Sequence, residues 1–282
     1  MIGRKKGYIL SLLCLVAILV VFAITPWDYN ISVALINEDS WWAEFFNRFG
    51  ELPSNAALLL GTTILVGCCK KESNPMSRLF YGVGVLLMLA FSLYTVYEPM
   101  SYTYSHSLTE IPIVVLILAF LLGLSIFLGL LYWTFNKDHT VFENIKKEAI
   151  TLLLVAVVSI ALVNILKITW ARPRMRSIDS IDDFRYWFQL NPFTNNNELK
   201  SFPSGHTANG MVMIVFVIFT PYINWLKRKP FIVFAVIWGI LGALARIVLG
   251  AHFFTDVIVS LYITLFSFSV IYSLVFNYEN IS

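Results

Sequence analysis

The chain has 282 residues, of which 58% are hydrophobic, 16% aromatic and only 13% charged, with a net charge of +3 and a mean hydropathy of +0.75. Such a composition leaves too little polar surface to clothe a soluble globule. It excludes a water-soluble enzyme and a nucleic-acid partner, and leaves an all-α polytopic transmembrane helical bundle whose natural partner is membrane lipid.

Apolar runs long enough to cross a bilayer are read at 8–25, 52–69, 79–97, 111–135, 149–168, 208–222, 231–249 and 256–276, an expectation of about eight spans. The first follows the basic start Arg4-Lys5-Lys6, but no small-x-small cleavage site follows it, so it reads as a retained anchor. Next comes Trp41-Trp42-Ala43-Glu44-Phe45-Phe46-Asn47-Arg48-Phe49, where aromatics alternate with charges as in a helix lying among headgroups. An aromatic belt anchor is the plainer reading of it, a substrate-reading element the alternative. The second run, 52–69, and the sixth, 208–222, are short for spans. Cys14, Cys68 and Cys69 lie in or at the ends of apolar runs, and an odd number with two adjacent gives no disulfide framework.

Cytoplasmic loops are enriched in Lys and Arg, and this orients the chain. With the N-terminus inside, twelve of the twenty basic residues fall on that side, among them Lys70, Lys71, Arg78, Lys146, Lys147 and the run Lys227-Arg228-Lys229. Both termini are then cytoplasmic. The first outer loop carries Asp28, Glu38, Asp39, Glu44 and Glu51.

The chain divides into residues 1–147, four spans with almost no intramembrane charge, and residues 148–282, which carry the chemistry. At the outer end of the fifth span stands Lys167, followed by Arg172, Arg174 and Arg176 at alternate positions. Outward placement of that cluster runs against the positive-inside trend, so an anionic ligand is expected to want it there. A phosphate fits, because Lys offers a compact charge and Arg a planar fork. The segment 175–202, with Asp179, Asp182, Asp183, then Phe184, Tyr186, Trp187 and Phe188, and Asn195-Asn196-Asn197, is too long for a plain connector and reads either as a lid or as a solvated loop.

Pro203-Ser204-Gly205-His206 then opens the sixth span. Ser204 can cap the helix, Gly205 lets backbone approach an anion, and the first-turn N–H groups carry the positive end of the helix dipole. Arg246 ends the seventh span, Gly250 permits a turn, and His252 and Asp256 are four apart, on one face of a helix starting there. A carboxylate bonded to one imidazole nitrogen fixes the tautomer and leaves the other nitrogen nucleophilic.

These three blocks resemble the signature of the type 2 phosphatidic acid phosphatase (PAP2) superfamily, written K-x6-R-P, P-S-G-H and S-R-x5-H-x3-D, over roughly residues 160–260. Met175 replaces the proline of the first block, and Ala245 the serine of the third. The resemblance implies a catalytic core in the C-terminal half. In it His252 is the nucleophile, oriented by Asp256, and His206 is the acid and then the base. Lys167, Arg174, Ser204, Gly205 and Arg246 bind phosphate, with Arg172 in reserve, and no metal or other cofactor is required. The expected function is a multi-pass cell-membrane phosphatase with an outward-facing site. Its substrate would be a lipid phosphate or pyrophosphate of the phosphatidic acid, phosphatidylglycerol phosphate or polyprenyl pyrophosphate class. Alternatives are a phosphotransferase using the same phosphohistidine, or a non-catalytic lipid-binding or transport protein. The blocks select a phosphoryl group and leave the lipid and the oligomeric state open.

Overall fold

A computed structural model describes residues 2–70, 74–104, 109–191 and 196–277, with side chains from 6 to 276. Lys71 and Asn195 lie outside the described residues, as do the side chains of Arg4 and Lys5. The chain is 80% helical, with no strand among the described residues. Eleven α-helices follow one another: α1 (Ile2–Ala23), α2 (Trp27–Leu35), α3 (Trp41–Phe49), α4 (Leu52–Cys69), α5 (Pro75–Thr103), α6 (Ile113–Asn136), α7 (His139–Glu143), α8 (Lys146–Trp170), α9 (Gly205–Met211), α10 (Arg228–Val248) and α11 (Phe254–Asn277).

Among the described residues, seven helical segments are long and apolar enough to cross a membrane, including Lys6–Ala23, Pro75–Thr103 and Ile113–Asn136. Their outward faces are apolar, with Leu10 63% and Ile113 68% exposed, which only a hydrocarbon surround tolerates over so many side chains. The chain is a multi-pass membrane protein.

The segment expected as the sixth of eight spans takes another form. Helix α9 covers 7 residues and passes directly into a 3₁₀ helix, Val212–Tyr222, of 11 residues. Runs of 3₁₀ beyond three or four residues are uncommon, and here a dense series of β-branched residues (Val212, Ile214, Val215, Val217, Ile218) weakens the α alternative. Tighter winding lengthens the segment, since 3₁₀ rises about 2.0 Å per residue against 1.5 Å. The two pieces together therefore reach roughly 32 Å, close to the ~30 Å hydrocarbon thickness, from a stretch that looked short.

This segment sits at the centre, contacted by α4, α8, α10 and α11. Ala57, Ile64, Cys68 and Phe142 from the first half share one core with Leu152, Val155, Val212 and Val215 from the second. Gly61 and Gly67 on α4 are the close-approach points, facing Leu153 of α8 and Phe142 of α7. Helix α3 is no free interfacial anchor. Its Ala43 and Phe46 are buried against Ala245, Val248 and Leu249 of α10 and the loop after it, with the Phe46 and Trp238 rings 5.1 Å apart. Ala245, at the motif serine position, is fully buried in this apolar contact.

Candidate active site

A cavity of about 540 Å³ opens at the end of the bundle where α3, α8, α9 and α10 meet. Lys167, Arg174, Gly205, His206, Arg246 and His252, six residues far apart in the chain, line it together. The other lining residues are Asn47, Glu51, Tyr102, Arg176, Asn197 and Glu198. The later part of the long 175–202 segment thus forms one wall, its backbone returning through Arg174 N–H to Glu198 O at 2.8 Å and Ser201 N–H to Arg172 O at 2.9 Å.

His252 lies in the turn between α10 and α11. Gly250 adopts φ +63°, which lets the N–H groups of Ala251 and His252 both turn back to the carbonyl of Arg246 at 3.0 and 3.1 Å. A Cβ at Gly250 would also lie 2.8 Å from Ile36 Cδ1. The imidazole is 2% exposed, with Nδ1 2.6 Å from the carbonyl of Ser201. A carbonyl only accepts, so Nδ1 carries the proton and Nε2 the lone pair. Burial first, then Arg174, Arg246 and Lys167, push its pKa well below the ordinary 6.5, so the ring is neutral.

Asp256 stands behind this histidine, off the cavity wall. Its Oδ2 is 3.6 Å from His252 Nδ1, beyond hydrogen-bond reach, which corrects the expected direct bond. The carboxylate is taken up by the Phe253 N–H at 2.8 Å, the Ser201 hydroxyl, and Arg172 Nη1 at 2.6 Å. It therefore fixes the Ser201 and Phe253 segments that flank the ring, and the Ser201 carbonyl does the direct orienting.

Arg172 is fully buried and points away from the cavity. Its guanidinium meets Asp28 at 2.8 Å, Asp256 at 2.6 Å, the Thr255 hydroxyl at 2.9 Å and the Arg185 carbonyl at 2.7 Å. It also lies over the Phe253 ring, 4.2 Å from the centroid. Four of its five N–H donors are taken within the protein and the side chain is off the cavity wall, so Arg172 is a structural clamp, and the reserve role read from the sequence is withdrawn. Met175, at the motif proline position, packs with Phe184 and Phe253 beside this clamp.

The three other cations are differently disposed. Lys167 Nζ lies 3.2 Å from where a Cβ on Gly205 would stand, so the glycine makes room for the ammonium. Arg174 spends its Nε–H on the Asn197 carbonyl at 3.1 Å. Arg246, 6% exposed, donates from Nη1 to the Asn47 side chain, while its Nε–H is buried with no partner. A buried, unanswered donor on a cation costs about 1–3 kcal/mol or more, which a bound anion would relieve. Arg176 is instead answered by Glu198 at 2.7 and 3.1 Å.

Ser204 caps α9, accepting from the Thr207 hydroxyl at 2.9 Å and more weakly from the Thr207 N–H at 3.4 Å. It is fully buried and absent from the cavity wall. The capping expected of it is met, whereas its hydroxyl does not face the space where a phosphate would sit. His206, 8% exposed, does face it, with Nε2 2.8 Å from the Asn47 carbonyl and Nδ1 2.9 Å from Glu51 Oε1.

Among the wall or support residues that escaped the sequence reading are Asp28, Asn47, Glu51 and Tyr102 from the first half and Glu198 and Ser201 from the second. For Asp28, Asn47 and Glu51 the available signal was a set of acidic and amide residues bordering apolar runs on the same expected side as the cations. Among the comparisons with known proteins, neither the curated proteins nor the solved structures contain a match to this chain. A family model does match: residues 148–279, which include Lys167, Arg174, His206, His252, Arg246 and Asp256, match the PAP2 superfamily.

Proposed function

We propose that the protein is an integral-membrane phosphatase that hydrolyses a lipid phosphate or lipid pyrophosphate through a phosphohistidine on His252. The observation that carries this reading is the convergence of Lys167, Arg174 and Arg246, the last with a buried unpartnered N–H, on a cavity that holds a neutral His252. Binding alone needs the cations but gains nothing from an oriented, unprotonated imidazole.

In the first half-reaction His252 Nε2 bonds to phosphorus as the P–O ester bond breaks, and the departing oxygen takes a proton from His206. In the second, water bonds to phosphorus and gives its proton to His206, while the P–N bond breaks and returns its electron pair to His252. Lys167, Arg174, Arg246 and the backbone N–H groups at the start of α9 hold the equatorial oxygens as charge moves onto and off them. The Nε2 proton of His206 rests on the Asn47 carbonyl, so the leaving oxygen takes the place of that carbonyl.

A lipid is favoured over a soluble ester by what adjoins the site. An apolar cavity of about 820 Å³ begins at Leu52 and Pro53, the residues next to Glu51, and continues along the central segment. Met213, Phe216, Phe219 and Tyr222 line it at a spacing of three, the spacing a 3₁₀ helix turns into one straight ridge. A hydrocarbon chain suits such a wall. The charge asymmetry of the loops further supports a site on the extracytoplasmic face.

The test is phosphate release by purified protein in detergent from a panel of lipid phosphates and pyrophosphates without added metal. We expect turnover by the wild type, an acid-labile phosphoprotein, and no release by folded His252→Ala. Undiminished release by that variant removes His252 as nucleophile. Loss of donor phosphate only when an alcohol acceptor is present assigns a phosphotransferase, and lipid flux without hydrolysis assigns a transporter.

A further inference from the structure

We propose that Glu51 is the positioning residue of the second histidine, holding His206 as a charged, aimed proton donor, and that the first half of the chain thereby supplies half of the acid–base pair. This rests on the phosphatase reading for its chemistry, and on geometry alone for the pairing.

Glu51 is the residue before α4, and its carboxylate makes no cap to that helix. The side chain, 13% exposed, turns instead to His206 Nδ1 at 2.9 Å. At that distance an oxygen and a nitrogen that both presented lone pairs would repel, so a proton lies between them. On the other side of the ring Nε2 faces the Asn47 carbonyl at 2.8 Å, which again requires a proton on nitrogen. The pair therefore stores one proton more than a carboxylate beside a neutral imidazole. Tyr102 fixes the ring plane, standing edge-on with centroids 5.0 Å apart and its hydroxyl 3.3 Å from Nδ1.

Glu51 is itself held from behind. Glu98 of α5 and Asn209, one turn along α9 from His206, stand beside it. Glu98 is 5% exposed and accepts from the Asn55 amide, with the Tyr94 hydroxyl 3.5 Å away. Two carboxyl groups in contact hold a proton between them, which lets Glu51 face Glu98 and the imidazole at once. The groups facing the imidazole are then Glu51, Tyr102 and the Asn47 carbonyl, with Arg246 the neighbouring cation. In a cavity already holding Lys167, Arg174 and Arg246, an imidazolium without that carboxylate would be expelled of its proton.

In turnover Glu51 remains ionised. His206 gives its Nε2 proton to the departing oxygen as the P–O bond breaks, keeps its Nδ1 proton on Glu51, and regains an Nε2 proton from the attacking water. Loss of Glu51 should therefore matter most when the leaving oxygen is a poor leaving group.

The experiment compares wild type, Glu51→Gln and His252→Ala on two phosphate monoesters, a long-chain alkyl phosphate in micelles and p-nitrophenyl phosphate, whose oxygen departs without protonation. General-acid assistance is worth on the order of a hundredfold or more. We expect Glu51→Gln to lower kcat on the alkyl ester by about that factor, and on the aryl ester by at least tenfold less, while His252→Ala abolishes both. An equal fold-loss on the two esters, or no loss, overturns the proposal. A readout independent of turnover is the titration of His206 by ¹⁵N NMR on histidine-labelled protein in detergent. The ring should lose its proton at a lower pH in Glu51→Gln than in wild type, and an unchanged titration overturns the pairing even if wild type hydrolyses neither ester. Failure of wild type on both esters falls on the phosphatase reading alone. If Glu51→Gln does not fold, Glu51→Asp, one methylene short of the ring, carries the same comparison.

Discussion

Asp28→Asn tests the clamp that ties the first half of the chain to the half that carries the family match. Asp28 is 1% exposed and accepts three hydrogen bonds, from Arg172 Nη2 at 2.8 Å, Thr255 Oγ at 2.6 Å and Thr255 N–H at 3.0 Å. Arg172 is fully buried between Asp28 and Asp256, so the substitution leaves one guanidinium against one carboxylate where the structure provides two. Breaking a buried pair by removing one charge costs about 3–5 kcal/mol. At roughly 2–4 °C per kcal/mol for a chain of this size, the midpoint should fall by about 10 °C. Thermal unfolding in detergent, followed by tryptophan fluorescence, reads this directly. The charge argument makes a second demand, because an apolar replacement of Arg172 removes the ion that Asp28 answers. Asp28→Asn with Arg172→Met should therefore be less damaging than the two single losses added together, by at least 1 kcal/mol in a double-mutant cycle. A single-variant effect within about 0.5 kcal/mol of wild type, or strict additivity in the cycle, would refute the reasoning.

Two further outcomes follow from the site. Gly205→Ala places a methyl group 3.2 Å from Lys167 Nζ, the movable end of a flexible side chain, so we expect little change in the unfolding midpoint. The inhibition constant for inorganic phosphate should nonetheless rise about tenfold, equivalent to ~1.4 kcal/mol, and an unchanged constant would show that Lys167 does not meet the anion. The acid limb of kcat/KM set by His252 should lie below pH 6.5, because burial, Arg174, Arg246 and Lys167 all disfavour its protonated form. Arg174→Gln removes one of those cations, so the limb should move to higher pH, and a shift to lower pH contradicts the assignment. The sign for stability is the same: the unfolded chain takes up the His252 proton before the folded one, so folding weakens as pH falls below about 6.5 toward the lowered value.

The sequence by itself determined the class of the fold and picked out side chains that line the cavity. Hydropathy runs are local, so the α bundle was legible, and so were Lys167, Arg174, Gly205, His206, Arg246 and His252, because each stands at the edge of a run where a polar side chain is costly. Their partners were not legible. Whether a buried carboxylate faces one histidine or an arginine depends on distances of a few ångströms across the bundle, and no spacing along the chain encodes that. The expected Asp256–His252 bond became a Ser201 carbonyl contact, since the carboxylate had stronger claims from Arg172 and two nearby donors. Arg172 and Arg174 are two residues apart and chemically identical, yet the turn after α8 buries one against Asp28 and opens the other to the cavity. The sixth span looked short because its length was counted in α-helical residues, and 3₁₀ winding made up the difference. Only the tertiary structure brought Asn47, Glu51 and Tyr102 of the first four spans to the cavity, where apparent scaffold becomes part of the site.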